Sequence, residues 1–520
     1  DAPRGMIIQW KEARYGETVF GAAALHYAPQ GRLAERIDDG VVGRGSLEAV
    51  TIPVNGGAWN AKAALGAIGI NWRAAEGFRA NFDAAPLAVD MTLDQRKVPI
   101  RVADVTGTLD LRDGWRITGG FKGGGAQAEE ASVADLGGRF NLGGKGDTLD
   151  GALSDIAMRV FDPKTEEEGR RFEEVKFEGS ATLRDSVASF TGGFSMAKSG
   201  MQIAQVTGRH SLEKNEGSLT FEPIPLIFAP RVFQPYDLSP VLRGPAGVTG
   251  RTDISGAVSW NADGLKASAL VDLRKMGFTL ASAGVFEGVS GKVEIADVFN
   301  MKSAPGQQIT MDKVTLGLPI EKGTIRFQLI GYDAIRLDNA EWPFGGGFIR
   351  VKPMDFAFTE GTENRLVAQA VNWDLAKLVE QFKLPDIKLV GTVAGDFPVV
   401  FRTGSATIDN ATLEASKEGG VIQYSGSPGD AAAQADENSK MVFDALKDFR
   451  YQVLKVGLNG DLAGRMVMSL SVLGRNPDVL GGQPFQLNIG IDSELVRLLT
   501  STTSQPDIRT AVGQVIGDKQ

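Results

Sequence analysis

Residues 454–491 read LKVGLNGDLAGRMVMSLSVLGRNPDVLGGQPFQLNIGI, and apolar and polar side chains alternate through much of this stretch. Apolar residues occupy every second position in three runs, at 454–458, 466–472 and 485–491. Because successive side chains of a strand point to opposite faces of a sheet, this period is typical of strands with one buried face. Asn459-Gly460-Asp461 and Gly481-Gly482 are turn signals between the runs. The stretch therefore predicts an antiparallel meander with one apolar face.

The same alternation occurs nearer the middle of the chain. Residues 254–273 alternate on either side of an Asn-Ala-Asp-Gly turn signal at 261–264. A second hairpin is predicted to pair 314–320 with 325–329 across Glu321-Lys322-Gly323. We therefore expect antiparallel strands well beyond the C-terminal meander.

The first half of the chain is less regular, and helices are few. The glycine-rich segments 120–125 and 137–151 are predicted to be turns. Apolar residues at helical spacing predict one helix over 375–382, after the capping residue Asp374, and a second over 442–449. A short third helix is predicted to begin at Ser493.

Composition supports a β protein and disfavours several classes of function. Glycine accounts for 65 of 520 residues, well above the usual ~7%, which suits many strands joined by tight turns. The formal net charge of −9 disfavours nucleic-acid binding. There is no cysteine, and His26 and His210 are the only histidines, so thiol chemistry is excluded and histidine chemistry disfavoured. No GxSxG, GxxxxGK[ST] or HExxH motif occurs. We predict that the protein is not an enzyme and holds no metal or cofactor.

An antiparallel sheet with one apolar face must cover that face. A closed barrel, a sandwich and an open trough filled by acyl chains all satisfy this requirement, and alternation alone does not separate them. Three features favour the trough. Met466 and Met468 are deformable, glycines within strands permit curvature, and helices are too few to cover the whole sheet.

Short motifs in the second half of the chain occur in a distinctive order. They are QPYDLSPVL at 234–242, APGQQ at 304–308, WDLAKL at 373–378, LVGTVAGDFPV at 389–399, DFRY at 448–451, NGDL at 459–462, GRNPD at 474–478 and GGQPFQLN at 481–488. Over about 233–499, this order resembles the YdbH family of AsmA-like envelope proteins, which are related to TamB and YhdP.

The resemblance implies a mainly β fold, an elongated antiparallel β-sheet curled into an open groove (a β-taco, or repeating β-groove), with a few short helices near the C-terminus. It implies a periplasm-spanning conduit that carries phospholipid acyl chains between the inner and outer membranes, so bound phospholipid or fatty acyl chains are expected. It also implies a small outer-membrane lipoprotein bound at the C-terminal edge by β-augmentation. An inner-membrane anchor would precede the chain, which would lie in the periplasm. The alternatives are an accessory or binding protein for a small solute such as a dicarboxylate, and a purely structural envelope protein.

The apolar faces of the predicted strands supply the candidate lipid-contacting residues, which are Phe327, Leu329, Val456, Leu458, Met466, Met468, Leu470, Phe485, Leu487, Ile489 and Ile491. We expect four regions, namely an N-terminal part of the groove at 1–230, a central groove at 231–370, a C-terminal β region with short helices at 371–500, and a polar tail at 501–520.

Overall fold

The computed structural model describes residues 5–494, except for 16–17, 57–58, 85, 94–95, 130, 146–147, 165–168, 281–283, 317, 360, 385, 403–404, 427–436 and 463. Within this part of the chain, 38 strands pair in antiparallel fashion, and the sheet is not closed into a barrel. Two α-helices accompany them among the described residues. The predicted mainly β fold is therefore confirmed. The predicted tail at 501–520 lies outside the described residues.

The chain divides into two compact units. Unit 1 comprises Asp1–Leu226, Gln234–Arg243 and Asp253–Ala269, and unit 2 comprises Ile227–Phe233, Gly244–Thr252 and Leu270–Gln520. The boundaries predicted at 230, 370 and 500 stay a prediction.

Unit 1 contains most of the short strands. They are β1 (Met6–Trp10), β2 (Ala13–Tyr15), β3 (Thr18–Phe20), β4 (Ala23–Pro29), β5 (Glu35–Ile37), β6 (Gly40–Leu47), β7 (Val50–Asn55), β8 (Trp59–Leu65), β9 (Ile68–Ala74), β10 (Phe78–Ala84), β11 (Leu87–Leu93), β12 (Arg96–Val102), β13 (Asp104–Asp110), β14 (Trp115–Gln127), β15 (Ser132–Lys145), β16 (Thr148–Phe161), β17 (Val175–Arg184), β18 (Val187–Met196), β19 (Gln202–Ser211) and β20 (Glu216–Pro223). The next three strands, β21 (Leu226–Phe228), β22 (Ala246–Asn261) and β23 (Gly264–Leu280), are divided between the units.

Unit 2 contains the remaining strands and both α-helices. They are β24 (Gly284–Asp297), β25 (Lys302–Ser303), β26 (Gln307–Leu316), β27 (Leu318–Leu329), β28 (Ala334–Phe344), β29 (Gly347–Val351), β30 (Met354–Ala357), β31 (Asn364–Asp374), α1 (Leu375–Gln381), β32 (Ile387–Val390), β33 (Thr392–Arg402), β34 (Ser405–Ala415), β35 (Gly420–Tyr424), α2 (Glu437–Leu446), β36 (Phe449–Asp461), β37 (Arg465–Arg475) and β38 (Phe485–Glu494). Helix α1 lies where its apolar spacing predicts it. Helix α2 overlaps its predicted range only through 442–446, because Phe449, which the spacing predicts to be helical, is the first residue of β36.

Two separate series of antiparallel strand pairings, ribbon A and ribbon B, run through the first part of unit 1. In ribbon A, β6 pairs with β9, β9 with β10, and β10 with β13. In ribbon B, β7 pairs with β8, β8 with β11, and β11 with β12. The chain passes between the ribbons through connections of one or two residues, as at Ala103. Strand β14 joins them, since it pairs with β13 through 116–122 and with β12 through 125–126.

Aromatic rings of unit 1 lie over glycines on neighbouring strands. Phe82 is the register partner of Gly107, Phe140 of Gly119, and Phe190 of Gly208. A Cβ atom added to Gly107 would come within 2.7 Å of the Phe82 ring, and one added to Gly208 within 2.3 Å of the Phe190 ring. Each ring therefore occupies the space that a side chain on its partner would need.

This arrangement explains why the glycine-rich segments are not turns. The prediction for 120–125 is wrong because these residues lie inside β14, and most of 137–151 lies inside β15 and β16. The residue types that favour turns here serve cross-strand packing instead. Gly119 and Gly138, for example, lie against the rings of Phe140 and Phe121.

Two further local predictions are wrong. The hairpin predicted across 321–323 reverses between Leu316 and Leu318, which are register partners. Gly323 is instead an interior residue of β27, where the Trp342 indole occupies the space above it. The helix predicted from Ser493 is not present at its first two residues, because β38 continues through Glu494; the rest of that prediction lies outside the described residues.

Candidate functional site

An apolar cavity of about 270 Å³ lies where ribbons A and B of unit 1 meet. Both ribbons contribute to its wall, so the inner face of the sheet is concave there. The lining residues are all apolar or glycine, and they are Leu47, Leu65, Gly66, Ile68, Ile70, Ala80, Phe82, Ala84, Pro86, Leu87, Val105, Leu109 and Ile117. Among the described residues no charged or hydrogen-bonding side chain lines it, so its described wall suits hydrocarbon and has no group to orient a polar solute.

Two lining residues of the cavity, Ile70 and Phe82, belong to a longer apolar surface, the floor row. Its members are consecutive register partners on twelve strands of unit 1, namely Gly45, Ile70, Phe82, Gly107, Gly119, Phe140, Leu153, Ala181, Phe190, Gly208, Leu219 and Val258. Residues opposite each other in an antiparallel pair share a face, so these twelve lie on one side of the sheet. At about 4.8 Å between strands, the floor row extends for about 50 Å.

The floor row is neither sealed nor fully exposed. All twelve members are partly accessible to solvent, and none is among the buried core residues. Apolar side chains left accessible over such a distance mark a surface that binds another apolar molecule. The floor row therefore has the properties of an open groove.

The opposite face of the sheet in unit 1 is charged, in ribbon B as well as in the strands of the floor row. Arg101 pairs with Asp90 at 2.6 Å, and Arg139 pairs with Asp155 at 2.8 Å. Asp110 accepts hydrogen bonds from Arg79 at 2.9 Å and Arg112 at 2.6 Å. These two guanidinium groups hold the pKa of Asp110 well below its usual range, with Arg112 the larger cause. The sheet of unit 1 is thus amphipathic, with one charged, solvent-exposed face and one apolar face.

The structure places the predicted C-terminal site residues on one face of β36, β37 and β38. Val456, Leu470 and Ile489 are register partners across the three strands, and Leu458 and Met468 form the neighbouring pair. Val456, Leu458, Met468, Leu470, Phe485 and Ile489 are partly exposed, whereas Met466 and Leu487 are each 3% exposed. Ile491 lies in β38 opposite Met468, but its side chain is outside the described part of the structure.

Phe327 and Leu329 lie on β27, separated from β36 by β28, β29, β31, β33 and β34. Register partners connect Ile325, two residues before Phe327, to Phe397 through Ala340, Val351 and Ala368. Gly395, two residues before Phe397, is connected in the same way to Val456 through Leu413. The predicted residues of the two regions therefore share a face of unit 2 but are not in contact as neighbours. Phe327 is 7% exposed, and Leu329 is partly exposed.

Helices cover part of this face of unit 2. Leu375 of α1 and Val442 and Ala445 of α2 belong to the same buried cluster as Val472 and Leu487. The cluster centres on Phe449, which is 0% exposed and whose ring meets Phe485 edge-on at 5.3 Å. Asn476 fixes α2 in place, since its side-chain amide donates to the carbonyls of Asp444 at 3.1 Å and Ala445 at 2.8 Å. This end of unit 2 is a closed protein core around Phe449.

The cavity and the floor row of unit 1 were not identified from the sequence. A signal was present, because Phe78, Ala80, Phe82 and Ala84 alternate with Arg79, Asn81 and Asp83. Glycines on the partner strands interrupt the apolar pattern, and the rings that cover them belong to other parts of the sequence. The groove is thus visible only when the strands are in register.

Among the described residues, no helix combines the length and apolarity needed to cross a membrane. A family model described as "YdbH-like: Intermembrane phospholipid transport protein YdbH" matches residues 51–515. The match includes the whole of 233–499, so the resemblance found in the sequence motifs is confirmed. No curated protein and no solved structure matches the chain.

Proposed function

Because the chain belongs to the YdbH-like family, whose name denotes intermembrane phospholipid transport rather than catalysis, we propose that the inner face of unit 1 carries phospholipid acyl chains along its floor row.

The observation that carries the proposal is the unbroken floor row. Twelve successive strands present glycine or an apolar side chain on one line, and each position remains partly accessible. Burial of apolar surface stabilises by roughly 25 cal/mol per Å², so an acyl chain laid along this line gains favourable contact at every strand. A headgroup would find no polar side chain in the described part of the cavity wall and would therefore remain in water outside the groove.

Phospholipid content and transfer test this proposal in a pair of variants on one strand. Phe82 points into the cavity, and Asn81 is exposed on the opposite face. We expect Phe82→Asp to retain much less phospholipid than wild type, by mass spectrometry of organic extracts, and to transfer less fluorescent phospholipid between vesicles. Asn81→Asp should match wild type in both assays.

Ile70→Ser is a milder second variant that guards against loss of folding, which circular dichroism would report. Equal lipid content and equal transfer in folded Phe82→Asp and Asn81→Asp would refute a groove in unit 1. Extracts that contain no lipid would instead favour a structural role, and a small polar solute in them would favour a binding role.

Lipid contact by the predicted residues of β27 and β36–β38 is a separate part of the proposal. Leu487, at 3% exposure, packs in the cluster around Phe449, whereas Gln486 is exposed. Loss of lipid from a folded Leu487→Arg protein, with Gln486→Arg unaffected, would support lipid contact there. Global unfolding of Leu487→Arg alone would indicate a dry core, because a charge would be buried without a partner.

We further propose that a small outer-membrane lipoprotein adds a strand to β38. Among the described residues β38 pairs only with β37, so its other edge is available for β-augmentation. Photocrosslinkers along 485–491 should capture the partner, whereas crosslinkers along β1 should not. Adducts at β1 alone would contradict this assignment. The periplasmic location and inner-membrane anchoring implied by the resemblance can be tested by fractionation of the full-length protein.

A further inference from the structure

The outer face of β36 and β37 carries two arginines side by side. Arg450 and Arg475 are register partners, and both line a cavity of about 320 Å³ together with Gln452, Pro484 and Glu418. This face is opposite to the cluster around Phe449, because Arg450 is exposed and the adjacent Phe449 is buried.

Several charged residues elsewhere in unit 2 lie opposite a residue of the other sign on the neighbouring strand. Glu414 and Lys455, Glu341 and Arg350, and Asp355 and Arg336 are register partners that form ion pairs at 2.8, 2.7 and 2.8 Å. Like charges placed directly opposite each other are destabilising. The Arg450–Arg475 pair departs from this pattern and therefore calls for an anion.

The nearby carboxylates do not supply that anion. Arg450 has a single contact with Asp448, at 3.1 Å, and among the described residues Arg475 forms no ion pair. Glu418 accepts a hydrogen bond from Ser416, which is the main cause of its lowered pKa. Asp448 is therefore the one carboxylate paired with either guanidinium group among the described residues, and both groups line an open cavity.

Exposed aliphatic side chains adjoin the arginines on the same face. Leu473 lies two residues before Arg475 and is 38% exposed, and its register partner Val453 is 40% exposed. A ligand that satisfies both features carries an oxyanion for the guanidinium pair and a short apolar segment for the aliphatic pair. Phosphate suits paired arginines because guanidinium groups can donate two parallel hydrogen bonds to its oxygens.

We propose that Arg450 and Arg475 bind the phosphate of a phosphate-bearing amphiphile, with Leu473 and Val453 in contact with its apolar part. This site lies on the face of unit 2 opposite to the buried cluster, and it goes beyond the groove proposed for unit 1. It would hold the headgroup end of a lipid, whereas the floor row would hold acyl chains.

Calorimetric titration of the full chain tests the site with three probes, each below its micellar concentration. The probes are dihexanoyl phosphatidylglycerol, inorganic phosphate, and octyl glucoside as an amphiphile without phosphate. We expect the phospholipid to bind more tightly than phosphate, and Arg475→Gln to weaken its binding about tenfold, as for loss of a charge-assisted hydrogen bond. Leu473→Ser should weaken the binding of the phospholipid but leave the binding of inorganic phosphate unchanged.

Arg365→Gln is the matched control, since Arg365 is an exposed arginine of unit 2 that pairs with Glu363 at 2.6 Å. It should bind every probe as wild type does. Equal affinity for phosphate and phospholipid, with no effect of Leu473→Ser, would refute the proposal that the ligand is an amphiphile and would indicate a site for phosphate alone. Unchanged binding in folded Arg475→Gln and Arg450→Gln would overturn the site altogether. Phe82→Asp changes only the groove of unit 1. The part of phospholipid binding that depends on Arg475 should therefore persist in the Phe82→Asp protein, whether or not unit 1 carries lipid.

Discussion

The contact between Phe82 and Gly107 provides a sharp test of the packing in unit 1. A Cβ atom at Gly107 would approach the Thr118 carbonyl oxygen to 2.5 Å and the Phe82 ring to 2.7 Å. Both distances are shorter than a side chain tolerates, so Gly107→Ala must tilt the ring into the cavity or separate β13 from β14. Overpacking of this kind costs about 1–3 kcal/mol. The lower entropy of the unfolded alanine chain offsets about 0.4–1 kcal/mol of that cost.

Gly69 provides the matched control, because it faces the opposite side of ribbon A and its nearest neighbour to an added Cβ is 3.7 Å away. We expect Gly69→Ala to be neutral or slightly stabilising. Gly107→Ala should lower local stability by about 1–2 kcal/mol, which corresponds to amide exchange about 5–30-fold faster. Hydrogen–deuterium exchange of peptides that cover β10 and β13 measures this difference. Indistinguishable exchange in the two variants would refute the account of rings lying over glycines.

Three further outcomes follow from single contacts. Asp162, which is 3% exposed, accepts three hydrogen bonds from Arg171 that hold its pKa below the usual range; Asp162→Asn should therefore cost about 1–3 kcal/mol at neutral pH. Because the pKa of Asp162 is depressed in the folded state, its contribution to stability is complete above the unfolded-state pKa of about 3.9 and is lost as the pH falls from that value through the folded-state pKa. Denaturation curves of wild type and variant should therefore converge at acidic pH and not at basic pH. Phe449→Ala should destabilise unit 2 by about 3–5 kcal/mol in denaturant titrations, whereas Leu480→Ala, at 52% exposure, should be nearly neutral; equal effects would show that Phe449 is not in a packed core. Asp374 caps α1 by accepting from the amide of Ala376 at 2.8 Å, so Asp374→Ala should cost about 1 kcal/mol while Asp374→Asn should cost less in the same assay.

The sequence was sufficient for features that depend on local pattern. Alternation in 454–491 locates β36, β37 and β38 and the face that their apolar residues share, and helical spacing locates α1 and α2. The register between strands cannot be predicted in this way in unit 1, because glycines interrupt the alternation of apolar residues there. Gly107 and Phe82 are far apart in the sequence and become one packing unit only when β10 pairs with β13.

The alternation of apolar residues also does not predict how deeply each side chain is buried. Val456 and Leu487 have the same alternation, yet Leu487 is 3% exposed and Val456 is partly exposed. The difference comes from the cluster that α1 and α2 complete around Phe449, whose members lie far apart along the chain. A single face thus contains both sealed and accessible positions, and alternation gives them identical weight.

The uniformity of the floor row has a kinetic consequence. A ligand held there would meet glycine or an apolar side chain on each strand, with no hydrogen-bonding side chain among the twelve positions. Advancing by one strand, about 4.8 Å, exchanges one apolar contact for another and breaks no hydrogen bond. An acyl chain bound there, as proposed, would therefore meet no polar barrier between strands, and no residue of the row would favour one direction of movement. Net flux would then depend on the lipid concentrations at the two ends rather than on any residue of the groove.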